Sequence, residues 1–288
     1  MRDWAEASFT ILLMGCVPVI IRHTDANPWT IGIVRLVVAL AGLVALMQAT
    51  RRWRRLSWRE WRALALIGVL FGAHWAFYFL SIKASSAGIA VIAQATFGVH
   101  LVLIGWVIGH HAVTRLDLVA VAMAVTGSLL VAPRWSMQNQ DTVGLLLGIC
   151  GAFFYAFLPI LHQRLAHISS LMRVFGQFLF GLAVFLLFLP QAEWRLGRSD
   201  WFWLLVLGVL CTLIQHTLWT RITTRLSTLT TSVLFYMAVP VTLLLGVVLL
   251  HERVTPWMVA GATLIVSGNV LAVLSHQPSV RRRERRIM

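Results

Sequence analysis

Side chains able to hydrogen-bond or stack on a solute recur inside stretches of this chain that are otherwise apolar. His74 and Tyr78, four residues apart, share one helical face in one stretch; Gln215, His216 and Trp219 lie in another, and Gln94 and Tyr236 in two more. Amides and phenols in such a setting can bind the ammonium and carboxylate of a zwitterion, while the rings receive an apolar side chain. Tyr155 and Gln177, polar and central in their own stretches, are secondary candidates for the same cavity. Each residue taken singly could instead be interhelical glue, at about 0.6 kcal/mol per pair. Their recurrence as a cluster points to a solute pathway.

The acids are placed differently. Of the ten Asp and Glu residues none lies near the middle of an apolar stretch, and Asp117, in the first turn of its helix, comes closest. A buried carboxylate is a common proton or sodium relay, so facilitated diffusion or weak coupling is expected rather than carboxylate-driven antiport, although histidine can also carry protons. Neither His-Glu-x-x-His nor a cluster of acids is present, which removes the residues that an intramembrane metalloprotease or prenyltransferase needs. The adjacent His110 and His111 have no third ligand at suitable spacing, so no metal site and no cofactor are expected. Cys16, Cys150 and Cys211 form no ligand spacing and read as packing residues, as do Thr96 and His100 on another face of their helix. Arg35 can snorkel outward, pair with carbonyls or attract a substrate carboxylate.

The elements that must position these groups are membrane spans. The chain is 59% hydrophobic and 12% charged, where soluble domains carry about 25% charged residues. Apolar stretches near 5–23, 29–49, 62–82, 86–109, 114–132, 143–163, 169–189, 201–221, 227–250 and 256–274 are each long enough to cross a hydrocarbon core of about 30 Å. The first continues as Arg22-His23-Thr24-Asp25 without a cleavage site, so it is expected to remain as a helix. Small residues four apart, Gly68/Gly72, Gly144/Gly148 and Ala120/Ala124/Ser128, predict close helix packing.

The ten spans are two copies of one plan. Pro18 and Pro159 stand 141 residues apart, as do Val113-Thr114, Val125 and Gly127 from Val254-Thr255, Val266 and Gly268. Between these anchors the offset is 142, pairing His74 with His216, Phe77 with Trp219, Lys83 with Arg225, Ser85 with Ser227 and Gln94 with Tyr236. Five spans per half is an odd number, so the second half enters from the opposite side. The expected fold is therefore all-α and integral to the membrane, ten transmembrane helices in two inverted five-helix repeats. The repeats are placed at 1–132 and 143–275, with a linker at 133–142 and a basic cytoplasmic tail at 276–288. This plan belongs to secondary transporters, with the substrate site between the halves near mid-membrane. Pro18, Pro159 and Pro240 are expected to bend their helices and expose carbonyls toward the cavity.

The net charge of +14 is explained by topology rather than by nucleic acid. With the N-terminus inside, seventeen Lys and Arg fall on the inner side, six on the outer, and Arg35 within the second span. The positive-inside rule then puts both termini in the cytoplasm. Trp53, Trp58 and Trp61 interleave with the arginines of 51–62, which suits an interfacial helix on anionic lipid.

Over nearly its full length the chain resembles the EamA-type branch of the drug/metabolite transporter superfamily. The resemblance rests on Trp58-Arg59-Glu60-Trp61 leading into Ala65-Leu66-Ile67-Gly68, and on Phe77 through Ala87. It rests also on Pro240, His251-Glu252-Arg253-Val254-Thr255, and Gly261 through Gly268. Arg35 matches an arginine typical of the family's second helix. In the first half Gly98 stands where the family often has proline, and His110-His111 replaces the usual Gly-Glu; Glu252 reads as a structural residue at a helix end. The resemblance implies a central cavity scaffolded by the fifth and tenth spans, and is strongest to inner-membrane exporters of aromatic and other neutral amino acids.

These readings together describe a multi-pass carrier of a bacterial inner membrane, working by alternating access. Its expected partners are small metabolites, neutral or aromatic amino acids foremost, and the lipid bilayer; a monomer satisfies this reading. The alternatives within transport are an exporter of lipophilic drugs or nucleobases, or a passive pore.

Overall fold

A computed structural model describes residues 2–108, 114–131, 135–225 and 234–275; His110, His111, the linker's start and the basic tail lie outside them. Every described span is helical. The first half contains α1 (Arg2–His23), α2 (Pro28–Ala49), α3 (Trp58–Ala84), the pair α4 (Ala87–Gln94) and α5 (Phe97–Val107), and α6 (Arg115–Val131). The second contains α7 (Gln140–Arg164), α8 (Ser170–Leu186), α9 (Arg198–Gly208), a π-helical segment (Val209–Ile214) running into α10 (Gln215–Arg225), α11 (Ala238–Leu250) and α12 (Pro256–Ser275). Counting α4–α5 and α9–α10 as one span each gives ten. Seven are long and apolar enough to cross a membrane by those criteria alone, and Ser170–Leu186 and Leu234–Leu250 are shorter apolar helices.

Helix starts follow local chemistry. Asn27 accepts from Thr30 N ahead of Pro28, and Ser57 and Glu60 form a capping box in which each side chain accepts from the other's backbone. That box corrects one expectation. The Trp- and Arg-rich segment does not form an interfacial helix: residues 52–57 are irregular, and the helix begins only at Trp58, where Ser57 can satisfy its first N–H groups. Asp117 likewise accepts from Thr114 N at 2.8 Å as α6 begins, a structural use for an acid at a helix start.

The two halves interlock. Helix α3 packs along α7 and α8 of the other half, α1 along α11, and α6 along α12. At the last of these, a Cβ on Gly127 would come within 2.6 Å of Gly261 O, so only glycine lets the two backbones meet. Gly144 serves α3 in the same way, its carbonyl accepting from Ser81 Oγ at 2.6 Å.

Three interruptions depart from continuous spans. The fourth span breaks at Ala95 and Thr96, between α4 and α5. The ninth turns at Met237 before α11. The eighth widens into the π segment, which no sequence signal announces. Pro18 and Pro159 lie inside α1 and α7. Pro240 follows the turn at Met237 by three residues, in the first turn of α11.

Candidate functional site

The third and fourth spans of both halves converge on two joined chambers at the centre of the bundle. One, with about 650 Å³ of empty space, is walled by Arg35, His74, Trp75, Tyr78, Phe79 and Gln94 from the first half and Gln215, His216, Trp219 and Phe235 from the second, with Tyr155 between them. The other, about 860 Å³, continues past Pro159, His162, Arg173, Gln177, Thr220 and Thr223 toward the end of the bundle that carries Arg164 and Arg221. Tyr155, His216, Trp219 and Phe235 border both chambers.

His74 is buried on α3, and its Nδ1 lies 3.0 Å from Gly151 O on α7. A carbonyl only accepts, so Nδ1 carries the proton and Nε2 is left to the cavity side of the ring. The imidazole stacks on Tyr78 at 5.8 Å and tilts against Tyr155 at 4.9 Å. Tyr155 Oη accepts from Trp219 Nε1 at 3.3 Å, and its ring stacks on Phe235. Across the chamber His216 meets Phe71, Trp75 and Phe178 ring to ring. Gln94, the last residue of α4, is 5% exposed, and neither its amide oxygen nor its nitrogen has a partner. Gln177 is in the second chamber, where Oε1 is 2.8 Å from His162 Nε2.

Eight of the nine expected residues thus border the chambers, and one does not. Tyr236 yields its place to Phe235, which borders both. The phenol of Tyr236 points instead at Gly98, where an added Cβ would collide with both Tyr236 Oη and Asn269 Oδ1. The absence of a side chain at Gly98 makes the room.

The break between α4 and α5 is held from the other half. Ala95 O accepts from Asn269 Nδ2 on α12 at 2.8 Å, while Thr96 Oγ1 donates back to Ala93 O at 2.7 Å. An interrupted helix inside lipid requires such replacements for its freed backbone groups.

Arg35, for which snorkelling, carbonyl pairing and attraction of a carboxylate are the three readings from sequence, lies in the wall. It is 1% exposed, with its guanidinium over the Trp75 ring at 4.1 Å and facing Phe79 at 5.2 Å. Nε donates to Thr212 Oγ1 at 3.0 Å and Nη2 to Cys211 O at 3.3 Å, both within the π segment. Thr212 Oγ1 donates in turn to Leu207 O, five residues back. The signal was present in the sequence: an arginine alone inside a span, with no acid at its depth, is by itself a site candidate.

At the end of the bundle remote from Arg164 and Arg221, neighbouring elements are tied together by hydrogen bonds. Glu252 accepts from Ala87 N at 2.8 Å and Gly88 N at 3.1 Å, capping α4 from the opposite half. Lys83 Nζ donates to Thr24 O, and Asp25 N to Asp200 Oδ1 at 3.0 Å.

Comparison with known proteins agrees with this architecture. Residues 7–132 and 142–274 each match the EamA-like transporter family. The chain is 20% identical over 274 residues to the uncharacterized transporter YxxF of Bacillus subtilis (strain 168), covering 93% of this chain and 88% of that protein. One solved crystal structure superposes with a TM-score of 0.68 at 21% identity, over 96% of this chain and 98% of that one. The chain belongs to the EamA-like transporter family, as a multi-pass membrane transporter rather than an enzyme.

Proposed function

We propose that this member of the EamA-like transporter family exports small metabolites, neutral and aromatic amino acids foremost, across a bacterial inner membrane. The observation that carries the reading is the paired chamber itself: rings from both halves and the unpartnered amide of Gln94 line one space, and the second chamber continues toward the end that carries Arg164 and Arg221. The arginine count puts that end in the cytoplasm. The ties made by Glu252, Lys83 and Asp200 close the other, so substrate enters from within and leaves when those ties release and the inner end shuts. Rocking of the two halves about their interlocked helices supplies the alternation.

Among the described residues, no Asp or Glu borders either chamber. Transport accordingly proceeds as uniport or with weak coupling to an ion. The test is efflux of labelled phenylalanine, tyrosine, leucine and threonine from liposomes containing the purified protein. Saturable efflux with counterflow is expected; absence of protein-dependent flux for all four would sink the substrate assignment, and flux that never saturates would indicate a pore. Rings on most sides of the first chamber favour a second reading, export of lipophilic drugs or nucleobases. Inhibition by those compounds and not by amino acids would select it.

A further inference from the structure

The Arg35 guanidinium has no carboxylate to answer it. Among the described residues no salt bridge reaches it, and no acid borders either chamber. A cation buried without a counterion is costly, and the cost is met here only in part, by one hydroxyl, one carbonyl and the Trp75 face. The unmet part has a definite shape. Nε and one N–H of Nη2 are engaged by the π segment, while Nη1 is buried without any partner in the wall of the first chamber. A guanidinium has five N–H groups in a planar fork, so the end formed by Nη1 and the second N–H of Nη2 is left without a hydrogen-bond partner. That end matches the two oxygens of a carboxylate. In the same wall Gln94 offers an amide whose two polar atoms are also unpartnered.

The geometry points to a carboxylate-recognising site at Arg35, for aromatic or apolar monocarboxylates in which the α-amino group is optional. The inference rests on the transport reading above and extends it. The chamber provides one fixed positive charge and no negative one, so it selects for the carboxylate end of an amino acid. The ammonium end meets only the amide of Gln94 and the faces of rings, partners that a deaminated acid can dispense with. The π segment has its place in this account: by widening the helix it turns Cys211 O and Thr212 Oγ1 toward Arg35, fixing the side of the fork that substrate does not use.

The probes are four compounds sharing one ring: phenylacetate, phenylalanine, phenethylamine and 2-phenylethanol. Binding to the purified full chain is read from the fluorescence of wall tryptophans Trp75 and Trp219. Phenylacetate and phenylalanine are expected to saturate at concentrations at least tenfold below the amine and the alcohol. Arg35→Gln should remove that preference, and Arg35→Lys should restore it only in part, since a point charge replaces the fork. Phenethylamine or phenylethanol binding as tightly as phenylacetate to the unaltered protein overturns the inference even if neither variant folds. So does a carboxylate preference that survives Arg35→Gln. The two readings fail separately. Arg35-dependent phenylacetate binding without amino-acid flux sinks amino-acid export and leaves the carboxylate site standing; amino-acid flux unchanged by Arg35→Gln does the reverse.

Discussion

The fourth span of each half stops and restarts at the same place in the repeat, and the two breaks are made differently. Ala95 and Met237 are 142 residues apart, the offset that also relates Gln94 to Tyr236 and Gly98 to Pro240. In the first half the break has no proline; it is held by Thr96 on Ala93 O and by Asn269 on Ala95 O. In the second, Met237 N bonds to Leu234 O in a tight turn and Pro240 follows in the first turn of α11. A position was kept through duplication while its means of support diverged. What each break presents has diverged with it: an unpartnered amide in the wall on one side, and on the other a phenol turned away with Phe235 in its stead. The third spans differ in the same sense, for α3 runs unbroken where the eighth span widens around Thr212.

Replacing Asn269 should have the largest effect. Asn269→Leu leaves Ala95 O buried without a donor, at a cost of about 3 kcal/mol, and a fall in thermal midpoint in detergent would record it. An unchanged midpoint would mean that the first break needs no external support. Gly98→Ala forces a methyl onto Tyr236 Oη and Asn269 Oδ1 and should cost about 2 kcal/mol; adding Tyr236→Phe should recover part of it. Gln94→Ala, with no bonded partner to lose, should spare stability and weaken substrate binding about tenfold, about 1.4 kcal/mol, visible as a raised half-saturation in flux. Thr212→Val removes the anchor of Arg35 Nε and should cost about 1 kcal/mol, read as a smaller midpoint shift. Tyr236→Phe alone should change neither stability nor flux, because the hydroxyl it removes has no partner. Equal effects at Gln94 and Tyr236 would erase the distinction between the breaks.

Span positions were legible in the sequence because length and hydropathy are local properties, and nine of the ten apolar stretches coincide with helices whose ends differ by only a few residues. The ninth stretch, expected as one span over 227–250, differs: its first seven residues lie outside the described region and it turns at Met237. Local reading failed wherever a distant partner decides the outcome. The break at Ala95 depends on a side chain 174 residues away. The π segment is matched by Arg35, 176 and 177 residues distant. The choice of Phe235 over Tyr236 goes with the gap at Gly98, into which the Tyr236 phenol fits. Arg35 is the instructive case: its isolation from any acid is readable from composition, but which of its N–H groups lack a partner required coordinates.

The bond from Asn269 to Ala95 O bears on how the halves relate as modules. By the repeat, Asn269 corresponds to Ser128, a shorter side chain whose hydroxyl donates to Ala124 O within its own helix. Two copies of the first half, paired as the halves are, would therefore set a serine against the buried carbonyl of Ala95 and leave it unanswered. The halves have lost interchangeability: this protein is now a heterodimer written on one chain, and any ancestor that assembled from identical units had to hold its fourth helix by some other means.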